Sequence, residues 1–145
     1  MRKAYLFVFA WGIALAAQAQ FSMEAKRAAE EVDAQAVRLM SAQRLEEALP
    51  LLVQAVDLWD AAMGQYSPHL YRALGNLQSA YYQTRRYADM HRVMERRLEV
   101  ARALFGERHE QTLLCMRNVA MGLEALGRHA EARKMRAQAA QNAKN

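Results

Sequence analysis

The sequence predicts an all-α fold assembled from stacked helix pairs, and three observations carry this. Helix formers dominate the 145 residues, with Ala, Leu, Glu, Arg, Gln and Met the leading types. Six Gly and two Pro are too few to punctuate an all-β chain, which needs a turn about every 8–12 residues. Several landmarks also recur every 42 residues: Arg44, Arg86 and Arg128 open similar stretches, Gly64 returns as Gly106, and Asn76-Leu77 returns as Asn118-Val119. A fixed period of this length marks a repeat architecture, in which each unit buries its apolar face against the next. At 53% hydrophobic and 24% charged, the chain has globular rather than disordered composition.

The first 19 residues read as a bacterial export signal. Arg2 and Lys3 supply a basic start and Ala4 to Ala17 an uncharged apolar run. Ala17-Gln18-Ala19 then gives a small-residue pattern, with cleavage expected between Ala19 and Gln20. The apolar run is shorter than the ~20 residues a bilayer span takes, which favours a cleaved signal over a retained anchor or a buried helix. No Cys lies near the cleavage point, which excludes a lipid anchor there. The expected location is therefore periplasmic or secreted, with no stable membrane span after cleavage. Removing Arg2 and Lys3 with the signal lowers the net charge from +5 to +3. That is mildly basic and not the concentrated positive footprint of a nucleic-acid binder. The single Cys115 cannot form an internal disulfide. Set among Leu113, Leu114 and Met116, it reads as a buried thiol.

The elements follow in order. The first unit (about 23–64) opens with a helix from Met23 to Ser41, with Val32, Ala36, Leu39 and Met40 inward. Its second helix runs from Leu45 to Met63 with Leu49, Leu52, Val53, Ala55 and Val56 inward, and stops at Gly64. Pro50 lies beyond the first turn, where it removes one backbone bond. In the second unit (about 65–106) Ser67 is a suitable N-cap and Pro68 suits the first helical position. Leu70, Leu74, Leu77 and Tyr81 form that helix's apolar stripe, and it ends near Thr84. The partner helix runs from Tyr87 to Phe105, with Met90, Val93, Met94, Leu98, Ala101 and Leu104 inward, and stops at Gly106. The third unit (about 107–141) carries Leu113, Met116, Val119, Ala120 and Leu123, then Gly127 and an alanine-rich capping helix from His129 to Gln141. Residues 142–145 read as a frayed tail.

Placed together, Gly64-Gln65-Tyr66-Ser67-Pro68, Leu74-Gly75-Asn76-Leu77 and Tyr81 resemble the tetratricopeptide repeat family in its 42-residue kinesin-light-chain-like form. Arg44-Leu45-Glu46-Glu47-Ala48-Leu49-Pro50-Leu51, Leu98-Glu99-Val100 and Gly106-Glu107-Arg108-His109 fit the same pattern. The resemblance covers roughly residues 28–140. It implies a right-handed superhelix of antiparallel helix pairs, about three repeats long. Three positions depart from the pattern. Gln78 stands where the other units have Ala36 and Ala120, Met90 replaces an expected alanine, and Arg97 fills a small-residue position. The middle unit is therefore expected to pack loosely or to use Met as an adaptable filler.

The resemblance also implies a concave groove lined by the first helix of each pair, and a protein or peptide partner. The residues expected there are Arg72, Asn76, Ser79, Tyr82 and Gln83 in the second unit, with Arg117, Asn118 and Met121 in the third. Asn76 and Asn118 hold equivalent positions. An amide can donate to and accept from an extended backbone at once, or it can bond to a neighbouring helix. Arg72 and Arg117 either meet a carboxylate or remain solvated. Trp59 either anchors a partner from the surface or packs against the first unit. Arg85, Arg86, Arg92, Arg96, Arg97 and Arg102 form the densest basic cluster, read as a solvated face interleaved with Glu95 and Glu99.

Catalysis finds no support. His69, His91, His109 and His129 show no metal-ligand spacing, Cys115 has no His nearby in sequence, and no Gly-rich phosphate loop is present. No cofactor or metal is expected. The functional expectation is a non-enzymatic interaction module, with a cell-envelope assembly or scaffold factor as one form of it. The alternative is a structural protein that dimerises through its end faces.

Overall fold

A computed structural model describes the backbone of residues 2–144 and the side chains of Gln20 and residues 22–144. The expected export signal, residues 1–19 up to the Ala19–Gln20 cleavage point, lies outside the described side chains. Among the described residues the chain forms six helices: α1 (Arg2–Ser41), α2 (Leu45–Met63), α3 (Pro68–Gln83), α4 (Tyr87–Phe105), α5 (Glu110–Ala125) and α6 (His129–Lys144). Two expected boundaries are corrected. The first helix begins at Arg2 rather than Met23, and the stretch from Gln18 to Met23 holds neither Gly nor Pro to break it. The last helix runs through Asn142, Ala143 and Lys144, which were expected to fray. There the Asn142 Nδ2 donates to the Glu107 carbonyl at 3.3 Å. Among the described residues, no helix is long and apolar enough to cross a membrane.

The 42-residue landmark has a physical cause. At the ends of α1, α3 and α5 the backbone N–H of Arg44, Arg86 and Arg128 closes the last turn. The acceptors are Leu39, Tyr81 and Leu123, at 2.9, 2.9 and 2.8 Å. The residue just before each arginine is left-handed: Gln43 at φ 60°, Arg85 at φ 59° and Gly127 at φ 74°. Only the third position uses glycine, which adopts this conformation without a Cβ penalty. Each arginine then begins the next helix and pairs three residues on: Arg44 with Glu47, Arg86 with Asp89, Arg128 with Glu131. One residue thus closes one helix and steadies the first turn of the next, and its spacing is the spacing of the repeat.

Consecutive helices pack against one another along the chain, and α1 also touches α3. The Tyr71 hydroxyl of α3 reaches Gln111 of α5 at 3.2 Å, so α1, α3 and α5 form one layer. Arg96 of α4 reaches Asp60 of α2 in the other layer. Two apolar clusters fill the space between. Leu49, Leu52, Trp59, Leu70, Leu74 and Leu77 belong to the first. Met90, Met94, Leu98, Met116, Val119 and Leu123 belong to the second. Tyr71 and Tyr81 pack against both.

The outer faces of the stack are polar. Where α3 turns Ala73, Leu77 and Ala80 inward against α2, α1 carries Glu31, Gln35 and Arg38 at the corresponding positions, all exposed. Where α4 turns Met94 and Leu98 toward α5, α6 carries Arg136 and Ala140, also exposed. Stacking through these faces would take charged groups out of water, which is unfavourable without partners.

Candidate functional site: a methionine-lined cleft between two helices

The cleft between α3 and α5 is built from the middle unit's departures. Gly75, Gln78, Ser79 and Tyr82 of α3, Met90 and Met94 of α4, and Met121 of α5 enclose a cavity of about 200 Å³. Tyr82 and Met121 are large apolar side chains left exposed on its rim. Met90 and Met94 are fully buried, so the unbranched side chains fill the irregular space under Gly75 and Gln78 without closing it. Ser79, Tyr82 and Met121, expected to line a groove, are thus brought together. Gln83 lies one turn further along and donates from Nε2 to the Ser79 Oγ at 3.3 Å. Asn76 and Asn118 sit half-buried at equivalent positions on the same two helices, but neither is among the residues that line this cavity. Among the described residues, neither amide bonds a neighbouring helix.

The expected arginines lie elsewhere. Arg72 leans from α3 toward α1 and gives its Nη2 to the Asp33 Oδ2 at 2.7 Å. The carboxylate it meets is therefore internal. Arg117 is exposed and lines a separate cavity of about 300 Å³ with Arg136, Ala139, Ala140 and Ala143, between α5 and α6.

Trp59 is not a surface anchor. It is 0% exposed, its indole stacks on His69 at 4.3 Å between ring centroids, and its Nε1 donates to the same Asp33 Oδ2 at 3.3 Å. The reason is register. Trp59 occupies the position held by Ala101 in the next unit, and α1 offers a buried carboxylate as its partner. Cys115 is buried, with its Sγ 3.5 Å from the Tyr71 hydroxyl. Burial and this contact push the Tyr71 hydroxyl up to about 12.

Four of the arginines around α4 meet carboxylates: Arg86 and Arg92 share Asp89, Arg96 takes Asp60, and Arg102 takes Glu107. Arg85 is exposed to water. Arg97 differs from all of these. Its guanidinium lies over the Tyr71 ring at 4.4 Å and against Gly75, and its Nη1 donates to the Gln78 Oε1 at 3.3 Å. Its Nε is buried without a partner, and among the described residues it joins no ion pair.

Gly75, Gln78, Met90, Met94, Arg97 and Asp33 were not expected as site residues. The signal for three of them is the repeat register. Gly75 stands where the other units have Asp33 and Arg117, and Arg97 stands where they have Ala55 and Ala139. A small residue and a large one have exchanged places between α3 and α4.

No protein-family model matches the sequence, and no curated protein matches it. The fold does have solved counterparts. BtubC (BKLC) from P. vanneervenii matches with a TM-score of 0.67 at 17% identity, over 79% of this chain and 46% of that one. A point variant of a candidate kinesin light chain from Podosopora anserina, built of nearly identical TPR-like repeats, matches with a TM-score of 0.64. Identity is 18%, over 79% of this chain and 54% of that one. Another structure of that protein matches at 0.61 and 19% identity, over 76% and 52% of the two chains. The chain spans about half the length of these solved proteins. What the likeness establishes is the fold: a TPR-like helical solenoid.

Proposed function

We propose that this chain is a non-enzymatic interaction module that holds a peptide or protein segment against the α3–α5 face. The observation that carries the reading is the open cleft that brings together Ser79, Tyr82 and Met121; Asn76 and Asn118 stand on the same two helices, outside its lining, and neither bonds a neighbouring helix among the described residues. An extended segment crossing the cleft presents backbone donors and acceptors at regular intervals. The amides at Asn76 and Asn118 answer both kinds, so the sequence demand on the segment is modest. The exposed rings and thioethers of Tyr82 and Met121 supply adaptable apolar contact. The signal-like pattern of residues 1–19 supports a location in the periplasm or outside the cell, in a role such as envelope assembly or scaffolding.

The test is affinity capture from a cell-envelope extract with the native chain and with Asn76→Ala/Asn118→Ala in parallel, followed by calorimetry on the captured segment. The double variant should lose about tenfold or more in affinity, since each bridging hydrogen bond contributes about 1 kcal/mol. Its melting temperature should hold, because both side chains are half-exposed. An unchanged affinity would remove the asparagines from the site. Recovery of the chain from the periplasmic fraction with Gln20 at its amino terminus would support the export reading, and an intact Met1 there would oppose it.

A further inference from the structure

A buried polar atom without a partner is costly, and one that persists in a folded chain asks for a reason. His91 of α4 carries such an atom. The residue is 4% exposed, and among the described residues its Nδ1 bonds nothing. The other ring nitrogen, Nε2, lies 3.4 Å from the Arg128 Nη1 and 3.5 Å from the Glu95 Oε1. Nδ1 faces α5, where Gly122 leaves room. A Cβ built on Gly122 would stand 3.0 Å from the His91 Nδ1 and 3.0 Å from the Met94 Sδ. An imidazole nitrogen and a thioether sulfur thus border one space that any side chain at position 122 would crowd. Met94 also lines the cleft, together with Met90 one turn earlier on α4 and Met121, the chain neighbour of Gly122. Packing alone does not require this set. At the equivalent positions 42 residues earlier, α2 and α3 carry Ala48, Leu49, Leu52 and Ala80, all buried. Met90, His91, Met94 and Gly122 replace that apolar contact with two sulfurs, a ring nitrogen and a glycine that weakens its own helix.

We propose that the His91 Nδ1 and the Met94 Sδ, joined by the thioethers of Met90 and Met121, bind one Cu(I) ion between α4 and α5. Thioethers are soft donors and suit Cu(I). Zn(II) takes thiolate, imidazole or carboxylate instead. The unbranched methionine side chains can close on an ion without a shift of the helices that carry them. The neutral imidazole gives the lone pair of Nδ1. Nε2 keeps the ring proton and presents it to Glu95, an acceptor beside the site that fixes the orientation of the ring. Histidine spacing in the sequence conceals such a site, because three of its four donors are thioethers. The proposal stands apart from the groove reading, since no bound segment takes part in it.

The full chain, isotope-labelled at the methionine methyls and histidine nitrogens, is titrated with Ag(I), a redox-stable stand-in with the same soft-donor preference, and followed by NMR. Near one equivalent the methyls of Met90, Met94 and Met121 and the Nδ1 of His91 should shift, while Met23, Met63 and Met116 hold. Without oxygen, the chain should also withdraw one equivalent of Cu(I) from bicinchoninate. His91→Gln and Met94→Leu each remove a donor and should weaken binding by more than the roughly tenfold expected of Glu95→Gln, which acts only through the ring. Met121→Leu lies on the exposed rim and serves if a buried variant loses its helical circular dichroism. Cys115→Ala should leave the affinity unchanged. Its loss in that variant would move the metal to the thiol and overturn the proposal. So would the absence of saturable binding, shifts confined to other methionines, displacement of Ag(I) by an equal amount of Zn(II), or an affinity that survives both His91→Gln and Met121→Leu.

Discussion

Arg72 on α3 and Trp59 on α2 share one acceptor, the Oδ2 of Asp33 on α1, at 2.7 and 3.3 Å. Three helices of two successive repeats therefore meet at one buried carboxylate oxygen. Asp33→Ala leaves the indole N–H enclosed without an acceptor and should cost about 2–3 kcal/mol. Arg72→Ala should cost about 1 kcal/mol or less, because that side chain is largely exposed and its pairing is screened by water. Urea denaturation separates the two: the midpoint should fall further for Asp33→Ala, with the slope unchanged in both.

Gly75 and Arg97 should behave as a coupled pair. Alanine in place of a mid-helix glycine normally gains about 1 kcal/mol. Here the gain is offset, because the new Cβ forces the guanidinium off Tyr71 and Gln78. In the Arg97→Ala background the obstruction is gone and Gly75→Ala should recover its full benefit. A double-mutant cycle read by thermal melting should therefore show the two changes together to be more stabilising than their sum. Strict additivity would show that the guanidinium yields at no cost.

The left-handed positions before the landmark arginines carry strain in two units and none in the third. Gln43→Gly and Arg85→Gly should each stabilise the chain by about 0.5–1 kcal/mol, while Gly127→Ala should destabilise it by about 1 kcal/mol. The unfolding midpoints of the three variants check the sign of each change.

Tyr71 offers a pH signature. Its hydroxyl is pushed up to about 12, by burial first and by the contact with Cys115 second. An unfolded tyrosine ionises near 10. The folded state thus favours the neutral phenol, so its contribution is intact below about pH 10 and is lost as pH rises toward 12. Spectrophotometric titration should show one tyrosine ionising later than the rest, and Tyr71→Phe should remove that late step.

Much of this fold is legible in the sequence, and the reasons differ from element to element. The bounds of α2 and α4 can be read directly, because a landmark arginine of the 42-residue period precedes each helix and Gly64 or Gly106 ends it. The start of α1 cannot be read, because no residue there opposes helix. Trp59 is ambiguous in the sequence because its partners, Asp33 and His69, come from two other helices. The cleft shows the opposite problem. Ser79, Tyr82 and Met121 stand out as residues facing away from the core stripe, but Met90 and Met94 follow that stripe and read as core alone. Arg97 is visible as an oversized residue. Its purpose appears only beside Gly75, because a sequence pattern read helix by helix does not show an exchange of volume between helices.

Among the described residues Tyr71 and Tyr81 pack against both apolar clusters, and they mark a seam between them. In amide hydrogen exchange α1 and α2 should protect as one block and α5 and α6 as another, with α3 and α4 taking part in both. The cleft is lined by α3 and α4, which take part in both blocks, and by α5. A segment bound across it would act as a splint, and its presence would be recorded as slowed exchange in helices it never touches.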